Sequence, residues 1–126
     1  MQVNDMAQII VIDDMDLIRD AVSQILTSAG HVVREARDGH EALKLFEAER
    51  PDLIITDIIM PEKDGIETIQ DLRTLEPATR IVAVSGGGKM VETDFLVAAQ
   101  AFGAREILRK PFEAHELLQV VSKALE

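Results

Sequence analysis

Five short apolar runs recur along the chain, separated by longer segments in which apolar residues follow helical spacing. The runs are rich in valine and isoleucine and lie at residues 9–12, 32–33, 53–55, 81–84 and 107–108. Short continuous apolar runs are typical of strands that are buried on both faces. Their alternation with helices predicts a doubly wound α/β fold, in which right-handed crossovers place helices on both sides of a five-stranded parallel sheet.

Each intervening segment carries a single apolar stripe, as expected for a helix that packs on one side against a sheet. Local signals indicate where these helices begin and end. Asp38, followed three residues later by Glu41, suits a capping box at a helix start, and Gly30 and Gly103 suit helix ends. The stripes of the five predicted helices lie at residues 17–26, 42–46, 66–72, 95–102 and 117–125.

The length and the apolar content predict a single domain. A chain of 126 residues with 47% hydrophobic content can bury one continuous core but has no room for a second folded module. We therefore expect one domain over residues 1–126, with its core at about residues 8–125 and with no output domain.

Charge and cysteine content exclude several kinds of function. The formal net charge of −10 disfavours direct binding of nucleic acid, because such binding depends on Lys and Arg side chains that neutralise phosphates. The absence of cysteine excludes disulfides, thiolate nucleophiles and cysteine-ligated zinc. There is no signal-peptide pattern and no apolar run of the roughly 20 residues that a membrane span requires, so we expect a cytoplasmic protein without membrane contacts.

Chemically active side chains follow four of the five predicted strands. Asp13 and Asp14 follow the first, Asp57 ends the third, Ser85 ends the fourth and Lys110 follows the fifth. In doubly wound sheets, ligands bind beyond the carboxyl ends of the strands, next to the point where the strand order reverses. A helix cap or a turn would explain any one of these residues, but not acids, a hydroxyl and a lysine together at one edge.

This set of side chains suits metal-assisted phosphoryl transfer. Carboxylates that lie close together resist joint ionisation unless a cation is present, and Mg²⁺ binds through one or two carboxylates, waters and phosphate oxygens. A carboxylate next to that metal is already an anionic nucleophile and can form an aspartyl phosphate without a general base. Lys110 and Ser85 would then bind the oxygens of the transferred group.

At these residues the sequence resembles the receiver domain of two-component response regulators, and the resemblance extends from about residue 8 to residue 125. The resemblance implies a flavodoxin-like fold with strand order 2-1-3-4-5, and the chain is similar to receivers that stand alone, as chemotaxis regulators do. The family pattern is present as Asp13-Asp14, as DIIMPEKDG at residues 57–65, as Ser85-Gly86 and as Lys110-Pro111-Phe112.

The resemblance also implies a role for each site residue. Asp57 would be the phosphoacceptor, and Ser85 and Lys110 would bind the phosphoryl group, so that these three are the expected catalytic residues. The Mg²⁺ ligands would be Asp57, Asp14 directly, Asp13 largely through water, and the backbone carbonyl of Ile59.

The function that this resemblance implies is that of a phosphoacceptor in a two-component system or phosphorelay. The phosphoryl group would come from a phosphohistidine on a sensor histidine kinase or on a histidine phosphotransfer protein. The phosphorylated form would bind a downstream protein that the sequence does not identify. Such a receiver is not an enzyme with an external substrate, since it catalyses only its own phosphorylation and dephosphorylation.

One position departs from the family pattern. Many receivers carry Tyr or Phe three residues before the lysine, where the ring couples the phosphoryl-bound hydroxyl to a distal face, whereas this chain has Ile107. Isoleucine has a restricted χ1 angle and no ring. We therefore expect Ser85 and Ile107 to be the switch positions. The readout would rest on the glycines at residues 86–88 and on the face formed by the predicted fourth helix, fifth strand and fifth helix.

Two alternative functions remain open. A Mg²⁺-dependent phosphohydrolase would use the same aspartyl nucleophile, but Ile59 occupies the position, two residues later, where such enzymes carry a second acid. A pseudo-receiver would keep the fold without phosphorylation, and only Ile107 favours that alternative. A turnover assay separates the first alternative from a receiver, and detection of the phosphoprotein separates the second.

Overall fold

A five-stranded parallel sheet lies at the centre of the molecule. The computed structural model describes residues 6–58, 65–85, 100 and 103–126. Within these residues the strands pair in the order β2-β1-β3-β4-β5, and every pairing is parallel. The predicted fold class and strand order are thereby confirmed. The strands are β1 (Gln8–Ile12), β2 (Val32–Ala36), β3 (Leu53–Asp57), β4 (Ile81–Ser85) and β5 (Glu106–Arg109).

Four helices connect and cover the strands in the part of the chain that the structure describes. They are α1 (Asp16–Ser28), α2 (Gly39–Ala48), α3 (Gly65–Leu75) and α4 (Ala114–Leu125). Helix α4 corresponds to the fifth helix predicted from the sequence. The fourth predicted stripe, at residues 95–102, lies almost entirely outside the described residues.

The core has two halves, one on each side of the sheet, because successive side chains of a strand point to opposite faces. Ile9 and Val11 of β1 pack on one side, against α1 and α4. Ile10 and Ile12 pack on the other side, against α2 and α3. The helix residues on the first side include Val22, Leu26, Leu117 and Val121, and those on the second side include Ala42, Phe46, Ile69 and Leu72.

Strand β2 differs from the buried strand that its apolar run predicts. Val32 is 41% exposed, and of the five β2 residues only Ala36 is buried. The reason is the position of β2 at the edge of the sheet, where it has β1 as a neighbour on one side. Two consecutive apolar residues fit an edge strand as well as a central one, so the sequence alone did not distinguish the two.

The helix boundary signals work largely as predicted. Asp38 Oδ1 accepts a hydrogen bond of 2.9 Å from the N–H of Glu41 at the start of α2. The Glu41 side chain accepts from the N–H of Arg37 over 2.8 Å, one residue earlier than in a capping box. Gly30 and Gly103 have φ angles of 99° and 95°, a left-handed conformation that favours glycine. Among the described helices, none combines the length and apolarity of a membrane span.

Candidate functional site

The alternation of side chains along the strands explains why Asp13, Asp57 and Lys110 meet at one edge of the sheet. Each lies two positions beyond an apolar residue that belongs to the core between the sheet, α1 and α4, and residues two apart on a strand share a face. β1 and β3 are neighbours, so the two acids follow adjacent strands, and the long Lys110 side chain reaches them from the end of β5. The three apolar residues are Val11, Ile55 and Leu108.

Lys110 is hydrogen-bonded to both buried carboxylates. Its Nζ atom lies 3.1 Å from Asp57 Oδ2 and 3.2 Å from Asp13 Oδ2. The side chains of Asp13 and Asp57 are 6% and 8% exposed. Burial favours the neutral amine and by itself lowers the pKa of Lys110, but the charges of Asp57 and Asp13 outweigh burial and raise this pKa above its ordinary value.

Asp13, Asp14 and Asp57 form a group of carboxylates that fits a hard divalent cation. One oxygen atom from each residue lies within 4.8 Å of the others. Asp13 and Asp57 are buried and Asp14 is exposed, so the group is open on one side. Mg²⁺ binds through oxygen ligands and keeps several waters, which an open site allows. Lys110 offsets only one of the three negative charges, so the group retains a net attraction for a cation.

The loop between β1 and α1 is held through three atoms of Asp13. The Asp13 N–H donates to the carbonyl oxygen of Ala36 over 3.1 Å. Its side-chain Oδ1 accepts from the N–H of Met15 over 2.9 Å. Its carbonyl oxygen accepts from Arg19 Nη1 over 2.8 Å. The backbone that carries the first two acids is therefore anchored to β2 and to α1.

Arg19 was not among the site residues predicted from the sequence. Besides the Asp13 carbonyl, it donates to Asp16 Oδ1 over 2.6 Å and to Glu35 Oε1 over 3.1 Å. Burial by itself lowers the pKa of Arg19, but the hydrogen bonds to Asp16 and Glu35 outweigh burial and raise this pKa above its ordinary value. The three-residue spacing of Asp16 and Arg19 on a predicted helix was a local signal for this ion pair. The contacts with Glu35 and Asp13 form only in the folded chain.

Ser85 and Ile107 lie on neighbouring strands near the site. Ser85 is 5% exposed at the end of β4, and its carbonyl oxygen accepts from the N–H of Lys110 over 2.9 Å. Ile107 stands opposite Ala83 in the register of β4 and β5. It packs in a small apolar cluster with Ile58 and Ala83, on the opposite face of the sheet from Asp57. Isoleucine therefore fills the space near the end of β4 with apolar contacts.

Part of the predicted site lies outside the described residues. This holds for Ile59, whose carbonyl is a predicted metal ligand, and for residues 60–64 of the DIIMPEKDG segment. It also holds for the glycines at residues 86–88 and for nearly all of the predicted fourth helix. The roles assigned to these residues stay predictions.

An apolar groove of about 530 Å³ opens beside Lys110, between α1 and the loop that joins β5 to α4. Leu17 also lines this groove and is 83% exposed, so a large apolar side chain faces solvent in the groove that Lys110 borders. The other apolar residues of the groove are Ile18, Ala21, Val22, Ile25, Pro111 and Phe112.

Comparison with known protein families identifies the domain. The family model of the response regulator receiver domain matches residues 9–122, which include every residue of the carboxylate group and Lys110. The chain belongs to this family. It is a receiver domain of the two-component response regulators, and the resemblance inferred from the strand-end residues is confirmed.

Similar proteins include both receivers that stand alone and larger regulators. The domain is 32% identical to the chemotaxis protein CheY of Bacillus subtilis over 119 residues, which are 94% of this chain and 97% of that protein. The structure of CheY4 from Vibrio cholerae is similar at a TM-score of 0.86 and 33% identity, covering 94% of this chain and 98% of that one. NtrX from Brucella abortus gives a TM-score of 0.89 at 34% identity over 95% of this receiver domain, which spans 27% of the NtrX chain.

Membership of the receiver family bears on the two alternative functions. It favours a receiver over a phosphohydrolase, whose additional acid is in any case replaced by Ile59. A pseudo-receiver would belong to the same family, so phosphorylation itself has to be tested.

Proposed function

We propose that this receiver domain accepts a phosphoryl group on Asp57 from a phosphohistidine donor. The observation that carries the proposal is the position of Asp57, a buried carboxylate at the carboxyl end of β3 with Lys110 Nζ at 3.1 Å and two further carboxylates beside it. Nucleophile, cation and metal-binding oxygens are the parts that phosphoryl transfer to an aspartate requires.

The transfer exchanges one bond to phosphorus for another. A carboxylate oxygen of Asp57 attacks the phosphorus atom, and a P–O bond forms. The P–N bond to the donor imidazole breaks, and its electron pair leaves with the imidazole nitrogen. No general base is needed, because the attacking carboxylate is already an anion.

Lys110 and Ser85 are proposed to stabilise the transferred group. Lys110 already lies beside Asp57, so its ammonium group can bind a phosphoryl oxygen with little reorganisation. Ser85 ends the neighbouring strand β4, from which its hydroxyl group would donate to a second phosphoryl oxygen. Both residues act by neutralising or hydrogen-bonding charge that the transfer places on oxygen.

Asp13, Asp14 and Asp57 are the residues proposed to hold Mg²⁺, with the carbonyl of Ile59 added from the family resemblance. Bound there, the metal would neutralise charge on the phosphoryl oxygens and help to orient the donor group. Lys110 has to share Asp13 and Asp57 with the metal, since it contacts both carboxylates.

The proposed partners follow from this chemistry. A sensor histidine kinase or a histidine phosphotransfer protein would supply the phosphohistidine, and the exposed Leu17, in the groove that Lys110 also lines, is a candidate contact for it. The receiver would act on no external substrate and would catalyse only its own phosphorylation and dephosphorylation. We propose that this takes place in the cytoplasm, without direct contact with nucleic acid or membranes, as the composition indicates.

Phosphorylation is proposed to change a surface that a downstream protein recognises. The phosphoryl group would draw Ser85 towards it, and the change would pass to the face formed by the predicted fourth helix, β5 and α4. Ile107 lies in β5 and packs against Ala83, two positions before Ser85 on β4. Without a ring at this position, the change has to be transmitted by the backbone and by apolar packing.

Intact-mass measurement after incubation with acetyl phosphate and Mg²⁺ tests the proposal. We expect a mass increase of one phosphoryl group in the natural protein, and no increase in Asp57→Asn, where the amide keeps the shape but is not a nucleophile. Asp52→Asn is the matched control, because Asp52 precedes β3 at its opposite end, where it accepts from the N–H of Gln8 over 2.8 Å.

Each other result has a defined meaning. Phosphorylation of Asp57→Asn at the level of the natural protein would locate the acceptor elsewhere. A natural protein that is never phosphorylated, although it is folded, would be a pseudo-receiver. Continuous release of phosphate with turnover on organic phosphates would identify a phosphohydrolase instead.

A further inference from the structure

Arg19 connects the loop that carries Asp13 and Asp14 to two elements of the fold. Its guanidinium group donates to three acceptors, namely the Asp13 carbonyl, Asp16 Oδ1 and Glu35 Oε1, at 2.8, 2.6 and 3.1 Å. The side chain is only 11% exposed. A planar fork with five N–H donors can hold three acceptors in fixed relative positions, which a single ammonium group does not.

The contact with the Asp13 carbonyl has a geometric consequence for Asp14. That carbonyl belongs to the peptide unit between Asp13 and Asp14, and a peptide unit is planar and rigid. A hydrogen bond at its oxygen therefore restricts the orientation of the whole unit and the position of the Asp14 Cα atom. Within the described residues, no hydrogen bond or ion pair holds the exposed Asp14 side chain itself. The direction in which Asp14 points thus depends on its backbone.

We propose that Arg19 is a positioning residue that orients Asp13 and Asp14 for Mg²⁺. It acts through the Asp13 carbonyl and touches neither the metal nor the phosphoryl group. Residues that orient metal ligands contribute strongly to metal affinity, since a ligand that is already in place loses less freedom on binding. This inference rests on the proposed function, in which these aspartates bind the metal.

The direction in which the Mg²⁺ affinity changes when Arg19 is replaced distinguishes a positioning role from a simple electrostatic one. Arg19 is a cation close to the carboxylate group, so removal of its charge should by Coulomb's law strengthen the binding of Mg²⁺. Positioning predicts the opposite, a weaker binding when the guanidinium group is removed. A measured loss of affinity in Arg19→Met is therefore not explained by charge.

The experiment is a calorimetric titration of Mg²⁺ into the natural protein and into variants, under conditions in which amide spectra show that each is folded. We expect Arg19→Met to raise the dissociation constant about tenfold. Arg19→Lys keeps the charge and the aliphatic stem, and should give an intermediate value. The amide resonance of Asp14 in metal-free Arg19→Met should also move, which reports a reoriented peptide unit independently of metal binding.

Arg34→Met is the matched control. Arg34 lies on β2 next to Glu35, and it donates to two backbone carbonyls, those of Leu45 and Glu49, at 2.8 and 2.7 Å. Its removal costs two hydrogen bonds to backbone carbonyls and the same unit of positive charge, but it leaves the loop that carries Asp13 and Asp14 untouched. We expect its Mg²⁺ affinity to equal that of the natural protein, even if its stability falls.

Failure of the inference and failure of the proposed function give different results. If the natural protein shows no saturable Mg²⁺ binding that Asp14→Asn abolishes, the metal site and the inference are both overturned. If the natural protein binds Mg²⁺ and Arg19→Met binds it as well or better, only the inference is overturned. Equal weakening in Arg19→Met and Arg34→Met, or an unchanged affinity in Arg19→Lys, would also overturn it.

Discussion

Lys110 acts as a counter-ion for the carboxylate group. It bridges Asp13 and Asp57, both buried, while Asp14 stays exposed. Three carboxylates with one ammonium group keep an excess of negative charge at the proposed metal site, and the ammonium group limits the repulsion between the two buried acids.

The first residue-scale prediction concerns the titration of Lys110 in metal-free buffer. Its pKa should lie above the ordinary value of 10.5 and should fall in Asp57→Asn, because the Asp57 charge is the strongest influence that raises it. The measurement is the side-chain resonance of Lys110 followed through alkaline pH. A pKa in Asp57→Asn equal to that of the natural protein would contradict the ion pair.

This shift also predicts how stability depends on pH. A lysine whose pKa is higher in the folded state stabilises the fold fully below its unfolded pKa, and that stabilisation is lost as the pH rises through its folded pKa. We therefore expect the free energy of unfolding to fall above about pH 10.5, near the ordinary pKa of lysine. Urea denaturation should show a smaller fall in Lys110→Met. Lys123→Met, at an exposed position of α4, should behave as the natural protein does.

Asp14→Asn should raise the stability of the metal-free protein. The substitution relieves repulsion with Asp13 and Asp57 and removes no hydrogen bond of the described residues, so we expect a gain in the free energy of unfolding of at most about 1 kcal/mol. Urea denaturation at low ionic strength with a chelator measures this. Addition of Mg²⁺ should reverse the order, because the metal stabilises only the protein that binds it. A loss of stability without metal would contradict the crowded carboxylate group.

At the scale of the elements, short capping signals set the positions of the helices that flank the site. Asp38 begins α2 directly after β2, so α2 starts at the same sheet edge as the carboxylate group. Gly30 lies in the turn that follows α1 and adopts a left-handed backbone conformation. Both signals are local, and both were readable from the sequence.

Asp38→Ala should lower the free energy of unfolding by about 1 kcal/mol, because an N–H at the start of α2 loses its acceptor. Glu47→Ala is the control, since Glu47 is exposed on the same helix and makes no hydrogen bond or ion pair with the residues that the structure describes. Urea denaturation of the two variants checks the prediction. Equal stability of both would show that the cap contributes little.

At the scale of the whole molecule, the fold joins residues that are far apart in the chain. The hydrogen bond between Lys110 and Asp13 spans 97 positions, and the two are brought together by a sheet in which β1 and β5 are separated by β3 and β4. This arrangement supports the proposal that a change at Asp57 reaches β5 and α4 through Lys110 and Ser85. A phosphoryl group has to shift an existing equilibrium between two conformations of the domain. The size of the shift is limited by the difference between its interaction free energies with the two conformations.

Beryllofluoride, which mimics a phosphoryl group, provides the test at this scale. We expect large amide chemical-shift changes at residues 85–96 and 105–112, with α1 comparatively unchanged, because the path runs from Ser85 to β5 and α4. Spectra recorded with and without the mimic, in the presence of Mg²⁺, measure this. Changes confined to the immediate site, with residues 89–96 silent, would contradict the proposed transmission and favour an adaptor.

Much of the fold and of the site could be predicted because the signals are periodic or lie at strand ends. Alternating apolar runs indicated a doubly wound sheet, and the rule for carboxyl ends of strands placed Asp13, Asp57 and Lys110 at one edge. The order of the strands came from the family resemblance. The exposure of Val32 could not be predicted, since a local pattern does not show whether a strand lies at the edge of a sheet.

The sequence by itself determined the class of fold, the family and the residue types of the site, because each depends on spacing along the chain. Only the tertiary structure decided that Lys110 bridges two acids and that Arg19 ties the Asp13 carbonyl to Glu35 and Asp16. The physical reason is that such contacts depend on how distant strands pair, β1 with β2 for Arg19 and β1 through β3 and β4 to β5 for Lys110, and on which way a long side chain turns. Neither is encoded in neighbouring residues, because both are decided by contacts between segments that are far apart in the chain.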